Sequence, residues 1–123
     1  MLAINTETML IELTRGDTAS IVFSAKDKDG QTYTPSTGDK LKFAVAKKVG
    51  AEPIFEIETE KTADNSNDDF WTIVIPSEKT NDMKFGDYAY DVQLSNSGGV
   101  DTIIGKTDDI SPTFRVWGEV ATE

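Results

Sequence analysis

The sequence predicts an all-β fold, an antiparallel sandwich of about seven to nine strands. Apolar and polar residues alternate with a period of two along almost the whole chain, which is typical of strands with one face in a core. Turn-forming residues interrupt this alternation about every ten residues, as expected for strands joined by hairpins and short loops. Only residues 77–82, which follow Pro76, could be helical, and they are too few for more than a turn or two.

The alternating segments are short and rich in β-branched and aromatic residues, which favours pleated, half-buried strands. In chain order they are 9–13, 19–24, 41–46, 55–58, 71–75, 88–95, 100–104 and 114–116. Ten side chains within them should be largely buried: Ile21, Phe23, Leu41, Phe43, Val45, Trp71, Ile73, Tyr90, Val92 and Leu94.

Turn chemistry separates these strands. Arg15-Gly16-Asp17 ends the first, and Pro35–Asp39 and Val49-Gly50 interrupt the middle of the chain. Asp27–Gly30 and Asn96–Gly99 indicate hairpins, because Asp, Asn and Gly tolerate the positive φ of tight turns.

At 123 residues the chain is expected to form one domain. We assign residues 9–118 to the sandwich and expect residues 1–8 and 119–123 to be flexible ends. The N-terminus lacks a basic segment followed by a long apolar run, so we expect cytosolic synthesis without the usual export signal. No apolar run is long enough to span a membrane.

The composition excludes several classes of function. The chain has 12 Lys and Arg, 22 Asp and Glu, no His and no Cys, for a net charge of −10. Without Cys there is no thiolate nucleophile or zinc–sulfur site, and without His there is no Ser-His-Asp triad. The acidic balance opposes binding to nucleic-acid phosphates. We therefore predict a protein that is not an enzyme, with no catalytic residue, no cofactor and no nucleic-acid partner.

Two short motifs have functional interpretations that the sequence does not favour. Arg15-Gly16-Asp17 spells an integrin-binding tripeptide, but it lies between two predicted strands, where Gly16 and Asp17 serve the turn. The run 64–69 offers oxygen ligands like the start of a calcium loop. The positions where an EF-hand needs Gly and Glu hold Asp69 and Ile75, so we predict a solvated loop and no metal site.

Charged side chains predict how two strands pair. Lys40 and Lys42 share one face of a strand, and Glu56, Glu58 and Glu60 share one face of the next. If the turn near Val49-Gly50 joins these strands as a hairpin, the lysines lie beside the glutamates, at about 0.2–1 kcal/mol for each cross-strand pair.

The segment Gly86–Tyr90 resembles the tyrosine corner of immunoglobulin-like (Ig-like) sandwiches. In that corner a Tyr hydroxyl donates to upstream backbone while its ring packs in the core. We expect Tyr88 and Tyr90 to have corner and core roles, because a buried Tyr hydroxyl needs such an acceptor. The fold prediction is therefore an Ig-like antiparallel β-sandwich.

Some aromatic residues do not fit the core pattern. Trp117 is out of phase with Phe114 and Val116, and Phe85 lies at the end of an element, as Phe70 does. An exposed aromatic near a strand end is a candidate contact residue, although packing within the monomer is the competing interpretation. Trp117 and Phe85 are the candidate partner contacts.

Several segments, in this order and spacing, resemble one known family: Leu13–Thr18, Ile21–Phe23, Asp27–Gly30, Gly38–Val45, Trp71–Pro76 and Phe85–Leu94. The family is the Ig-like domain at the N-terminus of phage upper baseplate proteins and of related short prophage tail proteins. The resemblance covers about residues 9–117, nearly the whole chain.

This resemblance implies a structural protein of a tailed-phage virion or prophage-derived particle, made in the bacterial cytoplasm and bound to other tail or baseplate proteins. It implies no catalytic or ligand residue. Alone, the domain should be monomeric or weakly self-associating, since its acidic surface opposes casual contact. The alternative is a carbohydrate- or cell-surface-binding module, in which exposed aromatics and loop carboxylates hold a glycan.

Overall fold

The computed structural model describes residues 2–25, 31–62, 70–105, 107 and 109–118. The prediction of an all-β sandwich is confirmed, since the described residues form nine strands and one 3-10 helix, Ser77–Lys79. The strands are β1 Leu2–Asn5, β2 Leu10–Thr14, β3 Ala19–Phe23, β4 Lys40–Ala46, β5 Pro53–Glu60, β6 Trp71–Ile75, β7 Gly86–Asn96, β8 Gly99–Ile104 and β9 Thr113–Trp117.

Some segments for which the sequence makes a prediction lie outside these described ranges. The hairpin expected at Asp27–Gly30 and the loop 64–69 lie outside the described residues, as does the C-terminal segment 119–123. Within the described ranges, no helix has the length and apolar character needed to cross a membrane.

The strands form two sheets. The larger has seven strands in the order β1-β2-β9-β7-β4-β5, with β8 also paired to β7, and the smaller contains β3 and β6. The long strand β7 pairs with β4 and also with both β9 and β8. The first residues of β7 pair with β9 and the last with β8, so β7 organises the centre of the larger sheet.

One described pair departs from the expected antiparallel pattern, because β2 and β9 are parallel. Parallel neighbours cannot be joined by a tight hairpin and need a long connection. Here nearly the whole domain lies between the two strands along the chain, so that requirement is met. The pairing brings the start and the end of the domain together.

The core lies between the two sheets. All ten side chains expected there are buried, together with Ile11, Leu13, Phe114 and Val116. Phe43 is at the centre, with ring centroids of four aromatic residues within 6.3 Å: Phe23, Phe55, Tyr90 and Phe114. Because Phe23 belongs to the smaller sheet and Phe43 to the larger, this cluster holds the sheets together.

The expected charge pairing between β4 and β5 is confirmed. Lys40 is opposite Glu60 and Lys42 is opposite Glu58 in the register. The ammonium of Lys40 lies 3.8 Å from the Glu60 carboxylate, and that of Lys42 lies 3.3 Å from the Glu56 carboxylate. These exposed pairs set the register more than they add stability.

The first strand lies in the segment 1–8, for which the sequence predicts a flexible end. β1 pairs with β2 through a turn that Asn5 organises, since its side-chain oxygen accepts hydrogen bonds from the backbone N–H groups of Glu7 and Thr8, at 2.9 and 3.1 Å. Met9 completes the turn with a φ of 58°. An Asx turn of this kind is a local signal, but the composition of four residues does not reveal the strand it serves.

Candidate functional site

Phe85 and Trp117, the aromatic pair, lie at the same end of two adjacent strands. Gly86 of β7 pairs with Val116 of β9, so Phe85 precedes and Trp117 follows a paired position. Because Phe114 and Val116 are buried, the alternation of β9 places Trp117 on the outer face of the larger sheet, as its phase predicts. Phe85 is 58% exposed and Trp117 is 45% exposed.

Arg15 brings the turn after β2 against this pair. Its backbone N–H donates to the carbonyl of Trp117 at 2.9 Å, and its guanidinium lies 4.5 Å from the centre of the Phe85 ring. A guanidinium in this position is attracted to the ring face and orders both side chains. The aromatic pair is thus joined to β2 as well as to β7 and β9.

The Arg15-Gly16-Asp17 turn has the structural role that the sequence favours. Gly16 has a φ of 84°, and the N–H of Asp17 donates to the carbonyl of Thr14 at 3.1 Å. The N–H of Gly16 donates to the hydroxyl of the fully buried Thr80 at 2.9 Å. The tripeptide therefore anchors the turn to the domain.

Arg115 links three strands beside Trp117. Its Nε and Nη2 donate to the two carboxylate oxygens of Asp87 at 2.7 and 3.2 Å, and its Nη1 donates to Oε1 of Glu12 at 3.4 Å. The hydrogen bonds from Arg115 lower the pKa of Asp87. The guanidinium also lies 5.8 Å from the Trp117 ring centre. A fork-shaped pairing of this kind restrains the arginine and the adjacent ring.

Two further contacts hold Phe85 in place. The hydroxyl of Tyr88 donates to the carbonyl of Lys84 at 2.7 Å, which confirms the predicted corner hydrogen bond and closes the segment containing Phe85. A Cβ added to Gly118 would come within 2.6 Å of the Phe85 ring, so the ring lies directly against this glycine. Phe85 is exposed without being loosely held.

Tyr90 has the core role expected of it. Its ring is buried, and its hydroxyl donates to the carbonyl of Met9 at 2.9 Å. Burial raises the pKa of Tyr90 to about 12. This bond ties the centre of β7 to the residue that precedes β2.

Trp71 begins β6 of the smaller sheet, and Phe70 directly precedes it. Trp71 is buried as predicted, and Phe70 is 44% exposed. The ammonium of Lys61 donates to the Phe70 carbonyl at 2.5 Å and lies 5.0 Å from the Trp71 ring. This buried lysine is a feature that the sequence pattern does not reveal, because it follows a run of exposed charges on β5.

Within the described ranges, no group of three or more His, Cys, Asp or Glu residues is placed to hold a metal ion. The residues 64–69, for which we predict no calcium site, are outside those ranges, and that expectation stays a prediction.

A shallow depression on the outer face was not anticipated from the sequence. It is about 120 Å³ in volume and is lined by residues of β4 and β7, among them Ala44, Ala46 and Ala89, and by residues 48–51 of the turn after β4. The sequence does contain a sign of this depression, because alanine occupies outward positions of β4 and β7 where long polar side chains are common.

No protein-family model matches the chain, and no curated protein is significantly similar to it.

Proposed function

We propose that this protein is a non-enzymatic structural component of a phage or prophage tail or baseplate. It acts in the virion by binding other tail proteins through the end of the larger sheet that carries Phe85 and Trp117. The single observation that carries the proposal is this exposed aromatic pair, bordered by Arg15 and Arg115. Aromatic and arginine side chains are the residues most enriched at the energetic centres of protein interfaces.

The strand arrangement supports the Ig-like part of the proposal. Ig-like sandwiches place strands C, F and G in one sheet and strand B next to strand E in the other. Here β4, β7 and β9 are neighbours in the larger sheet, as strands C, F and G are. β3 pairs with β6 in the smaller sheet, as strand B does with strand E. The Tyr88 hydrogen bond occupies the position of the tyrosine corner at the start of the F-like strand. The resemblance to phage baseplate domains rests on these same segments.

Restraint of the aromatic pair also favours a contact role. Binding costs less entropy when the contacting side chains are already ordered. Phe85 is held by Arg15, by Gly118 and by the Tyr88 corner, and Trp117 lies beside an arginine that Asp87 restrains. An ordered, solvent-exposed aromatic surface has an energetic reason to be covered.

Carbohydrate binding is the second candidate, and exposed rings beside polar side chains are the observation in its favour. A sugar stacks on a free, flat ring face. Arginine guanidinium groups already lie at both rings of the aromatic pair, Arg15 at 4.5 Å from Phe85 and Arg115 at 5.8 Å from Trp117. The geometry therefore supports a protein partner better than a glycan.

The test is affinity capture from cells that express the neighbouring genes, with bound proteins identified by mass spectrometry. Wild type should recover tail or baseplate proteins, and Trp117→Ala and Phe85→Ala should recover less. Phe70→Ala is the matched control, because Phe70 is a comparably exposed aromatic that lies directly before β6 of the smaller sheet. Equal recovery by Trp117→Ala and wild type removes Trp117 from the contact. Capture of polysaccharide instead of tail proteins contradicts the structural role.

A further inference from the structure

β1 and β5, the two ends of the main strand order in the larger sheet, differ in how they resist pairing with another chain. β5 begins with Pro53 and carries Glu56, Glu58 and Glu60, which are devices that discourage edge-to-edge association. β1 has the sequence Leu-Ala-Ile-Asn, with no proline and no charge, and all four of its residues are exposed. Among the described strands, β1 pairs only with β2, so its other edge is open.

One side of β1 is apolar and uncovered. Leu2 pairs with Leu13 and Ile4 pairs with Ile11, which places Leu2 and Ile4 on the core-facing side of the sheet. Leu13 and Ile11 are 0% and 1% exposed, whereas Leu2 and Ile4 are 36% and 47% exposed. The core-facing surface therefore continues beyond β2 without a covering layer in the described part of the chain. An added strand with apolar residues on this side would extend the core.

The other side of β1 ends a row of alternating charge. Ala3 pairs with Glu12, Glu12 pairs with Arg115, and Arg115 pairs with Asp87 across four strands. Arg115 makes two hydrogen bonds with Asp87 but a single, longer one with Glu12. Because Ala3 is small, a long cationic side chain on the next strand can pass over it to reach Glu12.

We propose that β1 accepts an extended segment of a partner protein as an additional strand. The segment has apolar residues on the side of Leu2 and Ile4, and a Lys or Arg opposite Ala3 that pairs with Glu12. Such strand addition derives affinity from the main chain and specificity from alternate side chains. The net charge of −10 favours a cationic segment over a second copy of this acidic chain. This proposal is independent of the phage assignment and of the aromatic pair.

The experiment uses two soluble peptides, one with a central Val-Lys-Val-Lys-Val sequence and one with Val-Glu-Val-Glu-Val. Backbone amide NMR of the full chain is recorded during titration with each. The lysine peptide should shift and protect the amides of β1, and should bind about tenfold more tightly than the glutamate peptide, since like charges oppose pairing at Glu12. Equal binding of the two peptides, or shifts confined to β3, β5, β6 or β8, overturns the proposal.

Three variants test which side chains determine peptide binding. Ile4→Lys places a charge on the apolar side of an exposed edge and should abolish binding while the domain stays folded. Glu12→Gln should remove most of the preference for the lysine peptide, and Glu58→Gln, the matched change on the β5 edge, should leave it unchanged. Formation of a homodimer that Ile4→Lys abolishes, measured by analytical ultracentrifugation, contradicts a partner segment and identifies a second copy as the occupant.

Discussion

The hydroxyl of Tyr88 donates a hydrogen bond to the backbone carbonyl of Lys84, four residues upstream and 2.7 Å away. This bond lies at the protein surface, closes the segment before β7 and fixes the backbone of Phe85 between its two ends. We expect Tyr88→Phe to lower the free energy of unfolding by about 0.5–1.5 kcal/mol, because water can replace the lost donor. Urea denaturation measures the loss. A loss well above that range would show that the corner bond organises more than its own segment.

We expect Tyr90 to make the free energy of unfolding decrease at alkaline pH. Its folded-state pKa is raised to about 12 by burial, whereas an exposed tyrosine ionises near 10. The unfolded state therefore loses the proton first, so the stability contribution is complete below about pH 10 and is lost as pH rises toward 12. Urea denaturation at pH 9, 10 and 11 should show declining stability. Tyr90→Phe should flatten part of that decline, and an unchanged slope would contradict the assignment to Tyr90.

Phe43 lies at the centre of the aromatic cluster in the core. Its side chain is fully buried and its ring lies within 6.3 Å of those of Phe23, Phe55, Tyr90 and Phe114. Phe43→Ala should reduce the free energy of unfolding by about 3–5 kcal/mol, because it removes contacts between the two sheets and leaves a cavity. Phe70→Ala, at a 44% exposed position, is the comparison and should cost far less. Similar costs for the two variants would contradict this description of the core.

The sequence predicted the core and the orientation of Trp117 because both follow from one strand's own alternation. A period of two assigns alternate side chains to opposite faces regardless of which strands pair. The corner role of Tyr88 was also local, since its acceptor is only four residues away. These features needed no knowledge of distant parts of the chain.

The features that the sequence did not predict depend on distant residues or on very short segments. The parallel pairing of β2 with β9 joins residues about a hundred positions apart, and no local pattern specifies it. The stacking of Arg15 on Phe85 follows from that pairing, since the N–H of Arg15 donates to the carbonyl of Trp117. β1 has only four residues, all exposed, so it lacks the buried positions that mark a strand.

Gly118 leaves the space that the ring of Phe85 occupies, and it is not part of the core. A Cβ at this position would come within 2.6 Å of the ring, so the ring has to shift toward solvent, which disturbs its contact with Arg15 but not the core. We expect Gly118→Ala to change the free energy of unfolding by no more than about 0.5 kcal/mol and to shift the ring resonances of Phe85 in NMR spectra. The same variant should weaken partner capture under the proposed function. A large loss of stability would mean that Phe85 is more tightly packed than its 58% exposure indicates.

The isolated protein should be monomeric or weakly self-associating in spite of its exposed aromatic pair and open edge strand. A net charge of −10 on a domain of 123 residues produces repulsion between copies, and we expect this repulsion to outweigh the attraction that either feature supplies. Sedimentation velocity at low salt should therefore show one species with the mass of a single chain. Raising the salt concentration screens this repulsion, so any weak dimer should grow with ionic strength. Dimers that are stable at low salt would contradict the dominance of charge and favour assembly through repeated copies of the domain itself.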